Sequence, residues 1–230
     1  MDVAALTLPA TPALVLATQG GPLYDADRAA ERESQTTSVQ GNHAARATAI
    51  AFNWWGGPGV VWVAALLWLG ARLARRRTMA ELGLRSTEGI AVSSAISGIV
   101  KGLAGRARPF VAPGEPWHWQ FANGWTDARY FSMPSGHTTA CFAVAAAASL
   151  TVARWRLAWR AVVVSSTFAA ALLVAFARVF ANQHWLSDVV AGAVLGMCTG
   201  FAIAHWHRRH PQSSFDRALL GSIQAKTGAR

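Results

Sequence analysis

The sequence predicts an all-α integral membrane protein, a helical bundle with five to six transmembrane helices. Of its 230 residues, 53% are hydrophobic and only 14% are charged, whereas an average soluble domain carries roughly a quarter charged residues. The chain also has 11 Trp against 2 Tyr, and Trp favours the membrane–water interface. The third observation is that long apolar stretches recur along the chain, each near the length that crosses a bilayer.

Five apolar stretches supply the predicted helices. A spanning helix needs about 17–25 mostly apolar residues. The first stretch reaches that length by itself, and the others reach it once flanking residues with snorkelling side chains are added. The five are Thr48–Ala71, Ile90–Leu103, Gly136–Ala153, Ala161–Ala177 and Val189–Ala204. A sixth stretch, Val3–Thr18, is short and contains two prolines, so it is either a poor first span, a signal peptide or an external tail.

The domain organisation follows from these stretches. Residues 48–210 form one predicted membrane domain. Residues 1–47 form an N-terminal segment, in which Tyr24–Arg46 is charged and Ala-rich and is expected to be an amphipathic or disordered stretch outside the membrane. Residues 211–230 are expected to form a basic cytoplasmic tail.

The distribution of basic residues predicts the orientation. The net charge is +10, and most cations lie in three regions that the spans place on one side, which should be cytoplasmic. These regions are Arg72–Arg85, Arg154–Arg160 and Arg208–Arg230. Five cations fall on the opposite side against this rule, which indicates a chemical role there: Lys101, Arg106, Arg108, Arg129 and Arg178. We therefore expect a multi-pass protein of the cytoplasmic membrane with its site facing the periplasm or exterior.

Several classes of partner are excluded. The arginines flank apolar stretches and form no aromatic RNA-binding motif, so no nucleic acid partner is expected. No obligate protein partner is evident, and no His, Asp or Glu set has the spacing of a metal site, so we expect neither a metal nor a cofactor. Cys141 and Cys198 lie within apolar stretches and are interpreted as buried free thiols.

Three polar clusters at the predicted helix ends form a candidate anion site. They are Lys101-x6-Arg108-Pro109, then Pro134-Ser135-Gly136-His137, then Arg178-x5-His184-x3-Asp188. Arg and Lys match phosphate oxygens by paired donors and by compact charge. Ser135 and Gly136 come where a helix begins, so their backbone N–H groups and the Ser hydroxyl are expected to point at a bound anion.

The two histidines are expected to perform the chemistry. Four residues separate His184 from Asp188, so on a helix they share a face. A carboxylate bonded to one ring nitrogen raises the basicity of the other, which favours His184 as nucleophile. His137 has no such nearby carboxylate and suits the role of general acid. Taken singly, Pro134–His137 also fits a loop at a helix start, and Lys101 with Arg108 also fits a pair of headgroup anchors. His184 with Asp188 also fits a buried structural pair or a proton relay.

Together the three clusters resemble the signature of the type 2 phosphatidic acid phosphatase superfamily, which unites lipid phosphate phosphatases with vanadium haloperoxidases. The resemblance covers roughly Asn53 to His205. It implies His184 as nucleophile of a phosphohistidine intermediate, Asp188 as its orienting partner and His137 as acid. The phosphate-binding residues that it implies are Lys101, Arg108, Ser135, Gly136 and Arg178. Because the soluble haloperoxidases lack membrane spans, we do not expect vanadate oxidation chemistry. We expect a phosphatase of a lipid phosphate or diphosphate that acts among membrane lipids, and it should be metal-independent because three cations and a helix N-terminus can replace a metal.

Two positions leave questions open. Ala177 stands where the superfamily usually has Ser, which removes one hydroxyl from the third cluster. Arg106 is an extra cation, and it either contacts a second phosphate or is a solvated loop residue. Expected substrates are undecaprenyl diphosphate, phosphatidic acid or phosphatidylglycerol phosphate, and an outward site favours the first. The alternatives are a phosphotransferase that uses the same histidine and a non-enzymatic protein that binds or transports anionic lipids.

Overall fold

The computed structural model describes residues 21–210 and 218–220, and within them the protein is helical with no β-strand. This confirms the predicted all-α class. The sixth stretch, Val3–Thr18, and most of the tail 211–230 lie outside the described residues. The helices are α1 (Pro22–Ser34), α2 (Thr37–Gln40), α3 (His43–Trp54), α4 (Val60–Leu73), α5 (Arg77–Ala104), α6 (Gly136–Thr151), α7 (Leu157–Phe180) and α8 (Leu186–Arg209).

Each of the five predicted apolar stretches coincides with a helical segment: four lie entirely within one, and Gly136–Ala153 runs two residues past the end of α6 at Thr151. Three of these segments are long and apolar enough to cross a membrane: His43–Leu73, Leu157–Phe180 and Leu186–Arg209. The other two differ in composition or length, because α5 carries charged residues along much of its 28 residues and α6 has only 16 residues. The predicted count of five to six spans therefore stays a prediction.

Helix α6 occupies the centre of the bundle and contacts α5, α7 and α8. Its Ala residues 143, 145, 146 and 147 are fully buried. Helix α8 faces it with glycines at every fourth position, Gly192, Gly196 and Gly200, and a Cβ on Gly196 would lie 2.2 Å from the Thr139 carbonyl oxygen. Small residues let membrane helices approach this closely. The register of α6 against α8 is therefore set by backbone contact.

A kink separates α3 from α4. The connecting π-helical turn, Trp55–Gly59, contains Pro58, and Gly57 departs from helical geometry with φ −93° and ψ −107°. Proline inside a helix and π-type turns both bend helices. Gly56 brings the turn against α7, since a Cβ there would lie 2.5 Å from a Val174 methyl carbon. The bend lets α3 pack on α7 while α4 packs on α5.

Short connections make α4 to α8 alternate in direction, apart from the longer segment 105–135 between α5 and α6. As a result the C-termini of α5 and α7 and the N-termini of α6 and α8 meet at one end of the bundle. Helix α1 also packs at this end, against α7 and α8. The arginine-rich connections lie at the other end, where residues 218–220 pack on Ala71, Ala80 and Leu84. Which end faces the cytoplasm stays a prediction.

Candidate active site

Two predicted phosphate ligands, Lys101 and Arg108, lie near the C-terminus of α5 and are held by neighbouring loops. Lys101 is buried, and its Nζ donates to the carbonyl oxygens of Phe131 at 3.2 Å and Ser132 at 2.9 Å. The Nη1 of Arg108 donates to Oε1 of Gln183 at 2.6 Å. These bonds fix where the two positive charges point, and they leave further N–H groups of both side chains for an anion.

Arg178, the third predicted cationic ligand, lies in the last turn of α7. Its Nη1 donates to the side-chain oxygen of Asn53 in α3. Its Nε is buried and has no hydrogen-bond partner among the described residues. The charges of Lys101, Arg108 and Arg178 are close enough to interact. Three mutually repelling cations with an unpaired buried donor are typical of a site that binds an anion.

The N-terminus of α6 provides backbone donors. The helix begins at Gly136, with Ser135 as the N-cap residue. The prediction that the Ser135 N–H points at the anion is wrong, because this N–H donates to the Asp188 carbonyl oxygen at 2.9 Å. The Ser135 hydroxyl accepts a bond from Thr138 Oγ1 at 3.0 Å, so its own proton remains for another acceptor. The N–H groups of Gly136 and His137 have no backbone acceptor among the described residues, as expected for a first helical turn.

His184 and Asp188 are brought together, but not on one helix face as the spacing predicts. Helix α8 begins at Leu186, so His184 lies in the preceding connection. The Asp188 carboxylate reaches back over the helix start, where its Oδ2 accepts from the Trp185 N–H at 3.0 Å and lies 3.4 Å from His184 Nδ1. Carboxylates three positions into a helix commonly cap its first N–H groups. The capping geometry therefore creates the His–Asp contact.

The environment of His184 keeps its imidazole neutral. Burial lowers the pKa of His184 to about 3; the hydrogen bond with Asp188 acts in the opposite direction, and the Lys101 charge adds to the lowering. At neutral pH the ring therefore carries one proton. Since Nδ1 faces the Asp188 carboxylate, we assign the proton to Nδ1, which leaves a lone pair on Nε2.

Ser132 is a residue of the site that the sequence analysis missed. Its Oγ donates to Asp188 Oδ2 at 2.5 Å and lies 3.5 Å from His184 Nδ1. The hydroxyl thus supports the carboxylate that orients the histidine. In the sequence, the one signal for Ser132 is that it is a hydroxyl residue just upstream of the Pro134–His137 motif.

Arg106 corrects a further expectation. The Arg106 side chain is not solvated and does not face a second phosphate. It is fully buried between two carboxylates. Nη1 lies 2.6 Å from Asp188 Oδ1, and Nη2 lies 2.7 Å from Asp27 Oδ2 in α1. The rings of Trp117 and Trp119 lie 5.4 and 5.1 Å from its guanidinium carbon. Arg106 is therefore a partner of Asp188, sealed from solvent by aromatic rings.

A cavity of about 250 Å³ opens beside these residues, between the kink, α4, α5 and α6. Lys101 and His137 form part of its wall, and much of the remainder is apolar. The buried hydroxyl of Ser97, one helical turn before Lys101, also lines it and has no hydrogen-bond partner among the described residues. Other lining residues are Gly56, Gly57, Val61, Ile90, Phe131 and Ala140. The cavity thus combines the polar side chains of Lys101 and His137 with a surface that suits hydrocarbon.

Ala177, which replaces the Ser usual in the superfamily, is fully buried. It packs in an apolar cluster with Ala49 of α3 and Phe180. The small apolar side chain of Ala177 therefore suits the packing of α3 on α7.

Gly57 is expected to position His137, because a Cβ on Gly57 would lie 2.9 Å from His137 Nε2. We predict that Gly57→Ala lowers kcat by about 10- to 100-fold, since a displacement of the order of 1 Å at a catalytic group costs about that much. The turnover rate of the purified variant measures this effect. Gly70→Ala in the same membrane segment is the matched control, because its Cβ would have no neighbour within 4 Å. Equal activity of the two variants would contradict the prediction.

The sequence model of the PAP2 superfamily, the type 2 phosphatidic acid phosphatase superfamily that the three clusters resemble, matches residues 83–212. The fold is similar to the crystal structure described as the first transmembrane PAP2 type phosphatidylglycerolphosphate phosphatase from Bacillus subtilis. The TM-score is 0.62 at 19% identity, over 88% of this chain and 93% of that one. At this identity the likeness concerns the fold alone. None of the curated proteins compared with the sequence matches it. Because the matched region covers more than half of the chain and contains all three clusters, the protein belongs to the PAP2 superfamily.

Proposed function

We propose that this protein is an integral membrane phosphatase that hydrolyses a lipid phosphate through a phosphohistidine intermediate. The observation that carries the proposal is the cavity, in which Lys101 and His137 share a wall with apolar residues such as Val61 and Ile90. A phosphate headgroup bound by the cations would leave its hydrocarbon chain beside the apolar wall. Membership of the PAP2 superfamily and the apolar helices support a multi-pass membrane lipid phosphatase.

The proposed reaction has two steps. In the first, His184 Nε2 attacks phosphorus, the P–O bond to the lipid breaks, and His137 gives its proton to the departing lipid oxygen. The cations Lys101, Arg108 and Arg178, with the N–H groups at the start of α6, stabilise the equatorial oxygens. In the second step His137 takes a proton from water, which attacks the phosphohistidine. The P–N bond breaks, and inorganic phosphate leaves.

The position of Arg106 bears on the substrate. A diphosphate would benefit from a further cation beyond the three that face the anion site. Arg106, the candidate for that role, is enclosed by Asp27 and Asp188. We therefore infer that lipid monophosphates, phosphatidylglycerol phosphate and phosphatidic acid, are better substrates than undecaprenyl diphosphate. The Bacillus protein of similar fold is named as a phosphatidylglycerolphosphate phosphatase.

The test is phosphate release by detergent-purified protein from these three lipids, with EDTA present and with His184→Ala beside the wild type. We expect release that survives EDTA, vanishes in the variant and is fastest for a monophosphate. Within the described residues, no three His, Cys, Asp or Glu side chains group so as to hold a metal ion. Metal independence itself stays a prediction that EDTA decides.

Other outcomes would contradict specific parts of the proposal. Release only in the absence of EDTA would overturn the metal-independent mechanism. A phosphorylated second lipid in place of free phosphate would identify a phosphotransferase that uses the same His184. Lipid binding without turnover, unchanged in His184→Ala, would indicate a binding or transport protein. Faster release from undecaprenyl diphosphate would overturn the inferred preference alone.

A further inference from the structure

We propose that Asp27, in helix α1, is a positioning residue for the nucleophile. Its carboxylate balances the charge of Arg106, so that the charge of Asp188 remains available to His184. The proposal rests on the proposed function, because it assigns a role in that reaction. Asp27 lies before the region matched by the PAP2 superfamily, residues 83–212, so the three-cluster signature does not include it.

The contacts of Asp27 are short and complete. Oδ2 accepts from Arg106 Nη2 at 2.7 Å and from the Ser187 hydroxyl at 2.6 Å, and Oδ1 accepts from the Ser187 N–H at 2.7 Å. The side chains of Asp27 and Arg106 are both fully buried. A buried carboxylate persists when its partners satisfy it as fully as here. Asp27 thereby holds Ser187, the residue before Asp188, and the guanidinium of Arg106, which contacts Asp188.

The charges explain why a second carboxylate is needed. Arg106 donates from Nη1 to Asp188 Oδ1 at 2.6 Å, so by itself it would neutralise Asp188. With Asp27 on the other side of the guanidinium, the three groups carry a net charge of −1. When His184 becomes phosphorylated on Nε2 and keeps the proton on Nδ1, its ring gains positive charge. The net negative charge of the buried triad stabilises that ring, because interactions are strong where water is excluded.

Asp27→Asn tests the proposal, with Asp25→Asn as the matched control on the exposed side of the same helix. We expect Asp27→Asn to lower kcat by about 10- to 100-fold, the usual effect of losing a partner of a catalytic ligand. KM should change by less than about twofold, because the phosphate-binding cations are untouched. The trapped phosphoenzyme should form correspondingly more slowly, and Asp25→Asn should behave as wild type.

A double variant separates charge balance from loss of packing. Arg106→Gln leaves two buried carboxylates without their shared cation, and we expect a larger loss of kcat than in Asp27→Asn. Adding Asp27→Asn to Arg106→Gln leaves Asp188 as the single charge of the three. The proposal expects this double variant to recover at least about tenfold in kcat over Arg106→Gln, a non-additivity that a double-mutant cycle measures. A merely structural Asp27 gives losses that add.

Two results would overturn the proposal: an unchanged kcat in Asp27→Asn with only a lower melting temperature, or additive losses in the double variant. If the wild type releases no phosphate from any lipid, the proposed function has failed by itself. Amide hydrogen exchange at Ser187 then decides the role of Asp27. Faster exchange in Asp27→Asn than in Asp25→Asn supports its hold on the Ser187–Asp188 segment, and equal exchange contradicts it.

Discussion

Replacing His184 with alanine is expected to lower kcat for phosphate release by at least about 10³-fold, as removal of a covalent nucleophile does in other enzymes. His184 is buried at 3% exposure, and burial lowers the pKa of His184 to about 3, which keeps the imidazole neutral and nucleophilic. His137, the other histidine of the site, is assigned to proton transfer, so we do not expect it to replace His184 as the nucleophile. KM should change little, because the cations that we propose to hold phosphate remain.

Single-turnover kinetics with radiolabelled substrate measure this expectation directly. A phosphohistidine is labile to acid and stable to alkali, so the trapped wild-type intermediate should show that pattern and be absent in His184→Ala. His205→Ala is the matched control, because His205 is an exposed histidine within α8. Phosphate release by His184→Ala at a rate close to that of His205→Ala would remove His184 from the mechanism.

Asp188→Asn is expected to lower kcat by about 10²- to 10⁴-fold, the range that follows when the carboxylate behind a catalytic histidine is neutralised. The structure gives a specific reason. All four contacts of the carboxylate come from donors or from the protonated ring nitrogen: Arg106, Ser132, the Trp185 N–H and His184. An asparagine NH₂ group would therefore face a donor whichever way it turned, and His184 would lose its orientation.

The same substitution should destabilise the fold by about 1–3 kcal/mol, because a buried donor loses its acceptor. Steady-state kinetics and thermal unfolding in detergent measure the two effects on one preparation. Asp25→Asn, which removes an exposed carboxylate, should change neither. Unfolding at the wild-type temperature with kcat within about threefold of wild type would show that Asp188 does not orient the histidine.

Local patterns in the sequence predicted much of the fold. Each of the five apolar stretches coincides with a helical segment, because hydrophobicity over some 20 residues is a local property that burial in a bundle or bilayer requires. The helix ends were predicted less well. The first stretch begins at Thr48, whereas the helical segment begins at His43. Three of those five added residues are Ala, and the Asn42 side chain caps the helix by accepting from the Ala45 N–H. Capping and helix propensity are local signals, but a measure of hydrophobicity alone does not detect them.

The candidate site divides in the same way. His184 and Asp188 were found because they lie four positions apart, although a helix cap creates their contact. Asp27 was missed because its partners Arg106 and Ser187 lie 79 and 160 positions away. Arg106 was noticed as a charge but given the wrong role, because a sequence does not state which carboxylate a cation will meet. Charge pairing of this kind depends on topology.

The bonds from α1 to the catalytic end also determine when the protein becomes competent during biosynthesis. Asp27 leaves the ribosome early, and its partners Arg106 and Ser187 follow 79 and 160 positions later, so the contacts of the carboxylate are complete only when nearly all the described helices are made. Synthesis proceeds at about 5–20 residues per second. The interval is therefore on the order of ten seconds to half a minute. Throughout it the nascent chain cannot complete the buried triad of Asp27, Arg106 and Asp188, so the support that we propose for His184 is complete only once α8 docks.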